Sequence, residues 1–418
     1  MPDAAYGSLP FREQAEFFRR KLNLPTSGWT DIYTREHDWA FVVAGANRDA
    51  LVADFREAVE KAIAGGGTLE EFRKDFDRIV ATHGWDYNGG RDWRSRVIYD
   101  TNLSTSYAAG RYEQLQAAPF WEYVHADWVQ HPRPQHVAWN GLVLARDDAW
   151  WQTHFPPNGW GCHCTVRGLW DRDLRKLGKT GPDQAPEVNL VKREIGQRSE
   201  LGPRTVSVPE GIDPGFEYAP GAARLRSAIP PELPQPPLIG GRSGTSSSMG
   251  GPGLPNRRPL DPLPAPRAFP ASELLAPGLA PQDYAQAFLD PFGATLATPA
   301  VFEDVIGERL VLGKELFTDA AGQLKADKRD RGRFMPMLAQ AVIDPDEIWV
   351  RLEWLAGLQR AAVRRRYIAR FDVAGQDSQA LAVFELGPDG WSGVTTFPPS
   401  DDDYLEGVRL GVRLYRRK

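Results

Sequence analysis

A chain of 418 residues, 42% hydrophobic and 25% charged, has the composition of an ordinary globular protein and length for roughly two to four domains. Its net charge of −5 excludes an overall electrostatic drive toward nucleic acid, so any such contact must come from a local patch. Two cysteines, Cys162 and Cys164, exclude a disulfide framework, and Cys-x-Cys spacing is poor for an intrachain bridge. The start, MPDAAYGSLPFREQ, lacks the basic stretch and apolar run of a signal peptide. No segment approaches the ~18 apolar residues of a membrane span. The expectation is a soluble, non-exported protein made in a cytoplasm, with no membrane partner.

The first ninety residues read as helices. Phe11 to Leu22 is amphipathic and is followed by Pro25. Leu51, Phe55, Val59 and Ile63 recur every four residues until Gly65-Gly66-Gly67, a helix with a glycine stop. Thr68 and Glu71 then fit a capping box, with Phe72, Phe76, Ile79 and Val80 continuing an apolar face behind it. His37 is expected as a core or capping histidine. Arg94 to Gln116 is a further helix loaded with polar groups (Arg96, Thr101, Asn102, Tyr107, Arg111), which would cap and brace the neighbouring loop or line a site.

From His125 to Cys164 the chain concentrates metal-ligand chemistry. Both cysteines and five of the seven histidines (His125, His131, His136, His154, His163) fall in this window, and the turn Pro156-Pro157-Asn158-Gly159 breaks it. Eleven of the fourteen tryptophans precede residue 171, so the large aromatic core belongs to this half. Zinc takes tetrahedral Cys and His ligands. Cys162, Cys164 and His136 would be the first three, with His131, His154 or a water as the fourth. The competing reading is two buried thiols packed as small hydrophobes, with the histidines hydrogen-bonded to backbone. A bound ion would hold the loops together, because small metal sites contribute folding free energy directly.

The phrases KLNLPTSGWTDIYTREHDWAFVVAGA, RVIYDTNLSTSYAAGRYEQL, PRPQHVAWNG and DDAWWQTHFPPNGWGCHC resemble the phage Mu F-like head morphogenesis proteins, minor head proteins of tailed phages. The resemblance covers roughly residues 8 to 175. It implies portal and capsid proteins as partners, and location in the virion after synthesis in a host bacterium. One departure is visible. The position between the cysteines is usually basic, commonly arginine, and here it is His163. His163 is thus either a fourth ligand or the occupant of the family's basic position.

Past Asp171 the composition changes. Residues 176–229 keep scattered apolar positions such as Leu190, Val191 and Phe216 and are expected to wrap over the preceding module. Residues 230–270 are rich in Pro, Gly and Ser and bury too little to offset ordering entropy, so they read as a linker. In residues 271–418, Pro336 starts a short helix (Met337, Leu338, Ala341, Val342) that Asp344-Pro345 closes. Apolar or alternating segments follow at Tyr367 to Val373, Ala380 to Leu386, Gly393 to Phe397 and Val408 to Tyr415. Three or four short strands suggest a small antiparallel sheet with helices on one side. The domain has no histidine, and residues 301–418 hold 18 Lys plus Arg against 19 Asp plus Glu. Only clustering in space could make an RNA-binding face.

The phrases KADKRDRGRFMPMLAQAVIDPDEIWV, RRRYIARF, GVTTF and YLEGVRLGVRLYRR resemble the phage-associated barnase–EndoU–colicin E5/D–RelE-like nucleases, second phage group, over roughly residues 285 to 418. The resemblance implies a small α+β nuclease acting on RNA by transesterification and requiring no cofactor. An immunity protein is an implied partner. By motif match, Lys328 and Arg331 would clamp phosphate and Arg366 would contact the transition state. Thr395 would hold a phosphate or ribose oxygen, and Arg409 with Tyr415 would complete the wall. Arg333, Arg365 and Glu347 would bind substrate, with Glu347, Tyr415 or a lysine carrying the proton. Trp349 and Phe397 read as core, and Asp401-Asp402-Asp403 as a solvated turn.

The expected architecture is multidomain, with a mainly α-helical head module and its irregular Trp/His/Cys-rich core followed by an α+β domain. Residues 1–90 would be the helical part of the head module, 91–175 the Mu F-like core, 176–229 its extension, 230–270 the linker and 271–418 the RNase-like domain. The alternatives are a purely structural virion protein with a non-catalytic C-terminal binding module, and a free-standing metalloenzyme using the His/Cys cluster.

Overall fold

The computed structural model describes residues 11–199, 202–227 and 261–418, apart from 319–322, 325, 328–331, 356–357, 375, 388–389, 398–404 and 406–407. Helix α1 (Arg12–Arg19) leads into β1 (Leu22–Asn23), which pairs in parallel with β2 (Ala40–Phe41). In α2 (Asp49–Gly65) the residues Leu51, Phe55 and Val59 are fully buried at their four-residue spacing. Gly66 ends that helix with a φ of 66°, where a side chain would be strained. Thr68 opens α3 (Leu69–His83) with the expected capping box: its oxygen accepts from the Glu71 N–H, and its own N–H donates to the Glu71 carboxylate at 2.7 Å.

Helix α4 (Arg91–Leu115) crosses both α1 and α3. Several of its polar side chains brace the helix and its neighbours, whereas Arg96 is exposed. Asn102, Thr105 and Ser106 bond to carbonyls one turn back, Gln14 donates to Ser106, and Arg94 donates to the Ala44 carbonyl. Next come β3 (Phe120–Val124), α5 (Pro134–Ala138), β4 (Val143–Ala145), α6 (Trp151–His154), β5 (Thr165–Leu169) and α7 (Asp171–Lys176). Strand β3 is the centre of an antiparallel sheet in the order β4-β3-β5. Alternation along β3 sends Trp121 and Tyr123, both fully buried, into one core with Tyr112, Trp139, Trp150, Trp151 and Phe155.

The segment after α7 packs onto this core. Strands β6 (Leu190–Ile195) and β7 (Arg204–Pro209) form an antiparallel pair, and helix α8 (Ala222–Arg226) lies against α4. Ile212, Phe216, Ala219 and Ala222 enter the aromatic cluster. Among the described residues no helix is long and apolar enough to cross a membrane.

The C-terminal half is α+β, with β8 (Arg267–Ala268), α9 (Pro281–Leu289), β9 (Ala300–Glu303), β10 (Arg309–Leu312), α10 (Met335–Ile343), β11 (Glu347–Leu355), β12 (Arg360–Val373), β13 (Gln376–Gly387), β14 (Gly390–Phe397) and β15 (Val412–Arg416). The sheet has eight strands in the order β15-β11-β12-β13-β14-β10-β9, with β8 pairing β12, and is larger than the three or four strands expected. Arginines at Arg364, Arg365, Arg366 and Arg370 interrupt the apolar pattern of β12 and hide most of its 14 residues. Strand β8 lies inside the segment assigned to the linker, and the Asp261 and Pro262 carbonyls also accept from Arg409 and Arg416. Ordered backbone pairing starts before residue 271.

Helices α9 and α10 cover one face of the sheet. Met337, Leu338, Ala341 and Val342 are fully buried there. Leu24, Ile32 and Ala40 of the N-terminal half join the same core. At this junction the Glu308 carboxylate accepts the Asp49 N–H at the first turn of α2, 2.8 Å away, where an anion meets the helix's positive end. Arg365 donates to the same carboxylate at 2.9 Å, and both side chains are at most 5% exposed. Breaking a buried pair leaves an uncompensated charge. Glu308→Ala should therefore cost about 2–4 kcal/mol, read as a lower midpoint in urea unfolding of the full chain.

Candidate nucleic-acid interface and histidine–cysteine cluster

Opposite the helices, the sheet presents a face built by strand alternation. Glu347, Trp349, Arg351 and Glu353 are alternate residues of β11, and Arg366 on β12 pairs in register with Trp349. Two carboxylates organise this face. Arg409 grips Glu347 through Nε to Oε2 at 2.7 Å and Nη2 to Oε1 at 2.8 Å. Trp349 Nε1–H adds a bond to Oε2 at 2.7 Å. Arg413 and Arg416 lie 3.6 and 3.7 Å from Oε1. Glu353 gathers the others: Arg351 donates at 2.8 Å, Arg366 is in direct contact and Arg364 is 3.7 Å away. The Asp261 carboxylate lies 3.3 Å from Arg413 and 3.6 Å from Arg416. Leu263, Ile368, Leu381, Leu405 and Val408 complete a small apolar floor with Trp349.

The expected site residues divide between this face and elsewhere. Arg366, Arg409 and Glu347 share it. Thr395 pairs in register with Val383, which pairs with Arg366. Lys328 and Arg331 lie outside the described residues, as do Asp401, Asp402 and Asp403. Three expectations are corrected. Arg365 is one residue from Arg366 and therefore points to the opposite face, where it is enclosed against Asp304, Glu308 and Tyr367. Tyr415 pairs with Ile348 and packs on the helix-side core. Arg333 precedes α10 and donates to the Leu275 carbonyl at 3.1 Å. Trp349 is core, as expected.

Arg413 and Arg416 belong to the site although reading by strand period separates them. They are three residues apart, yet both reach Glu347, because the register shifts by one residue between Ile348 and Trp349. A bulge absorbs a residue and restores the face. Gly411, at φ 96°, permits the approach: a Cβ there would come 2.4 Å from the Val350 carbonyl oxygen. Arg409 and Glu347 are both 0% exposed at their side chains. Arg409→Ala strands a buried carboxylate and should destabilise by about 3–5 kcal/mol. Thermal unfolding checks this, and the loss makes that variant a poor probe of chemistry.

In the N-terminal half, three ligand-type atoms converge. His136, Cys162 and Cys164 present theirs within 4.8 Å of one another. His136 Nδ1 is 3.7 Å from Cys162 Sγ and 3.6 Å from Cys164 Sγ, and His125 Nδ1 is 3.4 Å from Cys164 Sγ. The other ring nitrogen of His136, Nε2, is 2.9 Å from the Gly211 carbonyl oxygen, so Nε2 carries the proton and donates. Gly211 has a φ of 89°, and a Cβ there would strike the Gln135 side chain at 2.6 Å, so only glycine brings that carbonyl so close to α5. The Cys164 thiol is held well below its usual range, first by its hydrogen bond with Cys162 and then by His136.

The remaining histidines are occupied elsewhere. His154 is buried and stacks on Trp150 at 4.3 Å, with Nδ1 3.1 Å from the Trp150 carbonyl oxygen. His163 is exposed and packs on Trp128, and His131 is exposed. Burial holds His154 down at about 4, whereas an unfolded chain's histidine titrates near ~6.5. The unfolded state takes up a proton that the fold refuses, so His154 leaves stability intact above about pH 6.5 and erodes it as pH falls toward 4. His154→Gln should flatten this acid limb, worth on the order of 2–3 kcal/mol, in denaturation midpoints measured from pH 7 to 4.

The two regions that hold these sites are each similar to a known family. Residues 53–167 match the family described as Phage Mu protein F like protein, and residues 287–416 match phage-Barnase-EndoU-ColicinE5/D-RelE like nuclease2. The chain thus joins a Mu F-like region to a nuclease-family domain, the pairing that its motifs imply. It is 34% identical over 249 residues to a protein assigned by inference to capsid assembly, protein F of Escherichia phage Mu, covering 53% of this chain and 56% of that one. It is 31% identical over 191 residues to the Mu-like prophage FluMu F protein of Haemophilus influenzae, covering 42% of this chain and 46% of that one. The chain therefore spans about half the length of the curated relatives it matches. No solved structure matches it.

Proposed function

We propose that the chain is a minor component of a phage-type head that assembles with portal and capsid proteins, and that its C-terminal domain cleaves RNA in the manner of a toxin or effector. One observation carries the catalytic part: arginines from β11, β12, β15 and the segment before β15 converge on a single sheet face, although the domain as a whole is not basic. The Asp261 carboxylate beside Arg413 and Arg416 supports an anion-accepting character for that face. The assembly part is supported by the Mu F likeness.

In the proposed reaction the ribose 2′-hydroxyl attacks the adjacent phosphorus, and the 5′-oxygen leaves with a proton, giving a cyclic phosphate. Arginines stabilise the extra charge on the pentacoordinate phosphorus. Arg366, Arg413 and Arg416 supply it on the described face, with Lys328 and Arg331 as further clamps and Thr395 as an oxygen contact. Glu347 is hydrogen-bonded on both oxygens, so its role is to position Arg409 and Trp349. No metal ion is needed for this route, and an immunity protein would cover the same face.

A second reading, a non-catalytic binding module, draws on the engagement of Arg366 and Arg409 by Glu353 and Glu347. The two separate in one assay: the full chain incubated with total RNA and excess chelator, beside Arg366→Ala. Cleavage leaving cyclic-phosphate ends, reduced by about 10²–10³ in the variant when both proteins are assayed well below the variant's own melting midpoint, is the expected result. RNA that stays intact, or cleavage indifferent to Arg366, overturns the nuclease reading in favour of the binding module.

A further inference from the structure

We propose that His125, His136, Cys162 and Cys164 bind one zinc ion that ties together three segments of the Mu F-like region. These are the stretch after β3 (His125), helix α5 (His136) and the turn entering β5 (Cys162, Cys164). The argument starts from distances. A tetrahedral ion with Zn–S about 2.3 Å and Zn–N about 2.1 Å holds its sulfur and nitrogen ligands about 3.6 Å apart. The three S···N separations here are 3.4, 3.6 and 3.7 Å. Thiols packed as small hydrophobes have no reason to point at one imidazole nitrogen from two directions.

Both thiols compete for one acceptor nitrogen. With Nε2–H donating to Gly211, His136 Nδ1 has a single lone pair, and both thiols face it. One ion accepts that lone pair and both sulfurs together. The Nε2–H···O=C bond is also the outer-sphere contact that orients a ligating imidazole and fixes its tautomer. His125 touches Cys164 but lies outside the mutual 4.8 Å set of the other three. His125 is half-buried beside Cys164, and in this proposal it supplies the fourth corner. His131, exposed, and His154, turned to the Trp150 carbonyl, are not ligands. Two thiolates and two imidazoles close the coordination sphere, which makes the site structural, with no position for a substrate.

The site can be tested without any activity assay. Full-length protein purified without chelator should contain about one zinc per chain by elemental analysis. Reconstitution with Co(II) should give thiolate-to-cobalt charge-transfer bands and the d–d bands of a tetrahedral centre. Competition against a chromophoric chelator should show affinity lowered by about a hundredfold or more in Cys164→Ser and His136→Ala. His125→Ala should lose at least tenfold, while His131→Ala and His163→Ala should match the parent. Because Cys164→Ser could unfold the chain, chelation of the parent supplies a second reading, with a melting temperature that falls on zinc removal and returns on readdition. Less than about a tenth of an equivalent of zinc together with no cobalt–thiolate band would falsify the site. An unchanged affinity in His125→Ala would overturn the fourth ligand.

Discussion

The carboxylate of Glu347 is the charge on which the arginine-lined face of the C-terminal domain depends. It sits at the start of β11, out of water, and its two oxygens are taken by Arg409 and Trp349. Removing an ion from water costs several kcal/mol, and that cost is offset only if every lone pair finds a partner. The segment before β15 is therefore held where Arg409 can reach Glu347, which brings Arg413 and Arg416 to the same place. Specific arginine geometry in a domain of balanced charge follows from this one buried anion. Glu353 repeats the device further along the strand for Arg351, Arg364 and Arg366.

The helix-side face solves a related problem differently. Arg365 and Tyr367 enter an apolar core, and Asp304 and Glu308 follow them in. Glu308 also accepts the first backbone N–H of α2, so the network that neutralises Arg365 docks the N-terminal helices on the sheet. The two halves share a hydrophobic core through Leu24, Ile32 and Ala40. In the Mu F-like region, large rings do most of the filling: Trp121, Tyr123, Trp139, Trp150 and Trp151 meet edge to face, the arrangement that ring quadrupoles favour. Around this rigid centre the irregular loops bring His136, Cys162 and Cys164 together.

Local chemistry was legible wherever neighbours in sequence decide the outcome. The Thr68–Glu71 capping box, the glycine stop at Gly66 and the buried stripe of Leu51, Phe55 and Val59 are read correctly from residue type and spacing. So is the α10 start at Pro336. Family motifs placed the Mu F-like and nuclease-like regions in the right order. The extent of the sheet was not legible, because arginines that find carboxylates across strands read as polar interruptions. Residues 261–268 read as linker for a similar reason: a proline-rich segment shows no period, yet its carbonyls accept from Arg409 and Arg416.

By itself the sequence determined which residue types were available and in which local elements: a helical start, an aromatic His/Cys-rich middle, an α+β end without histidine. Tertiary structure decided which of the adjacent arginines Arg364, Arg365 and Arg366 join the Glu353 side and which enters the helix-side core, since side-chain alternation has meaning only after strands pair. It placed Tyr415 on the helix side and joined Arg413 to Arg416 through a one-residue bulge that no periodicity shows. It also chose His125 over His131, His154 and His163 as the neighbour of Cys164. Spacing along the chain limits which residues can meet; burial and backbone pairing far from them decide which do.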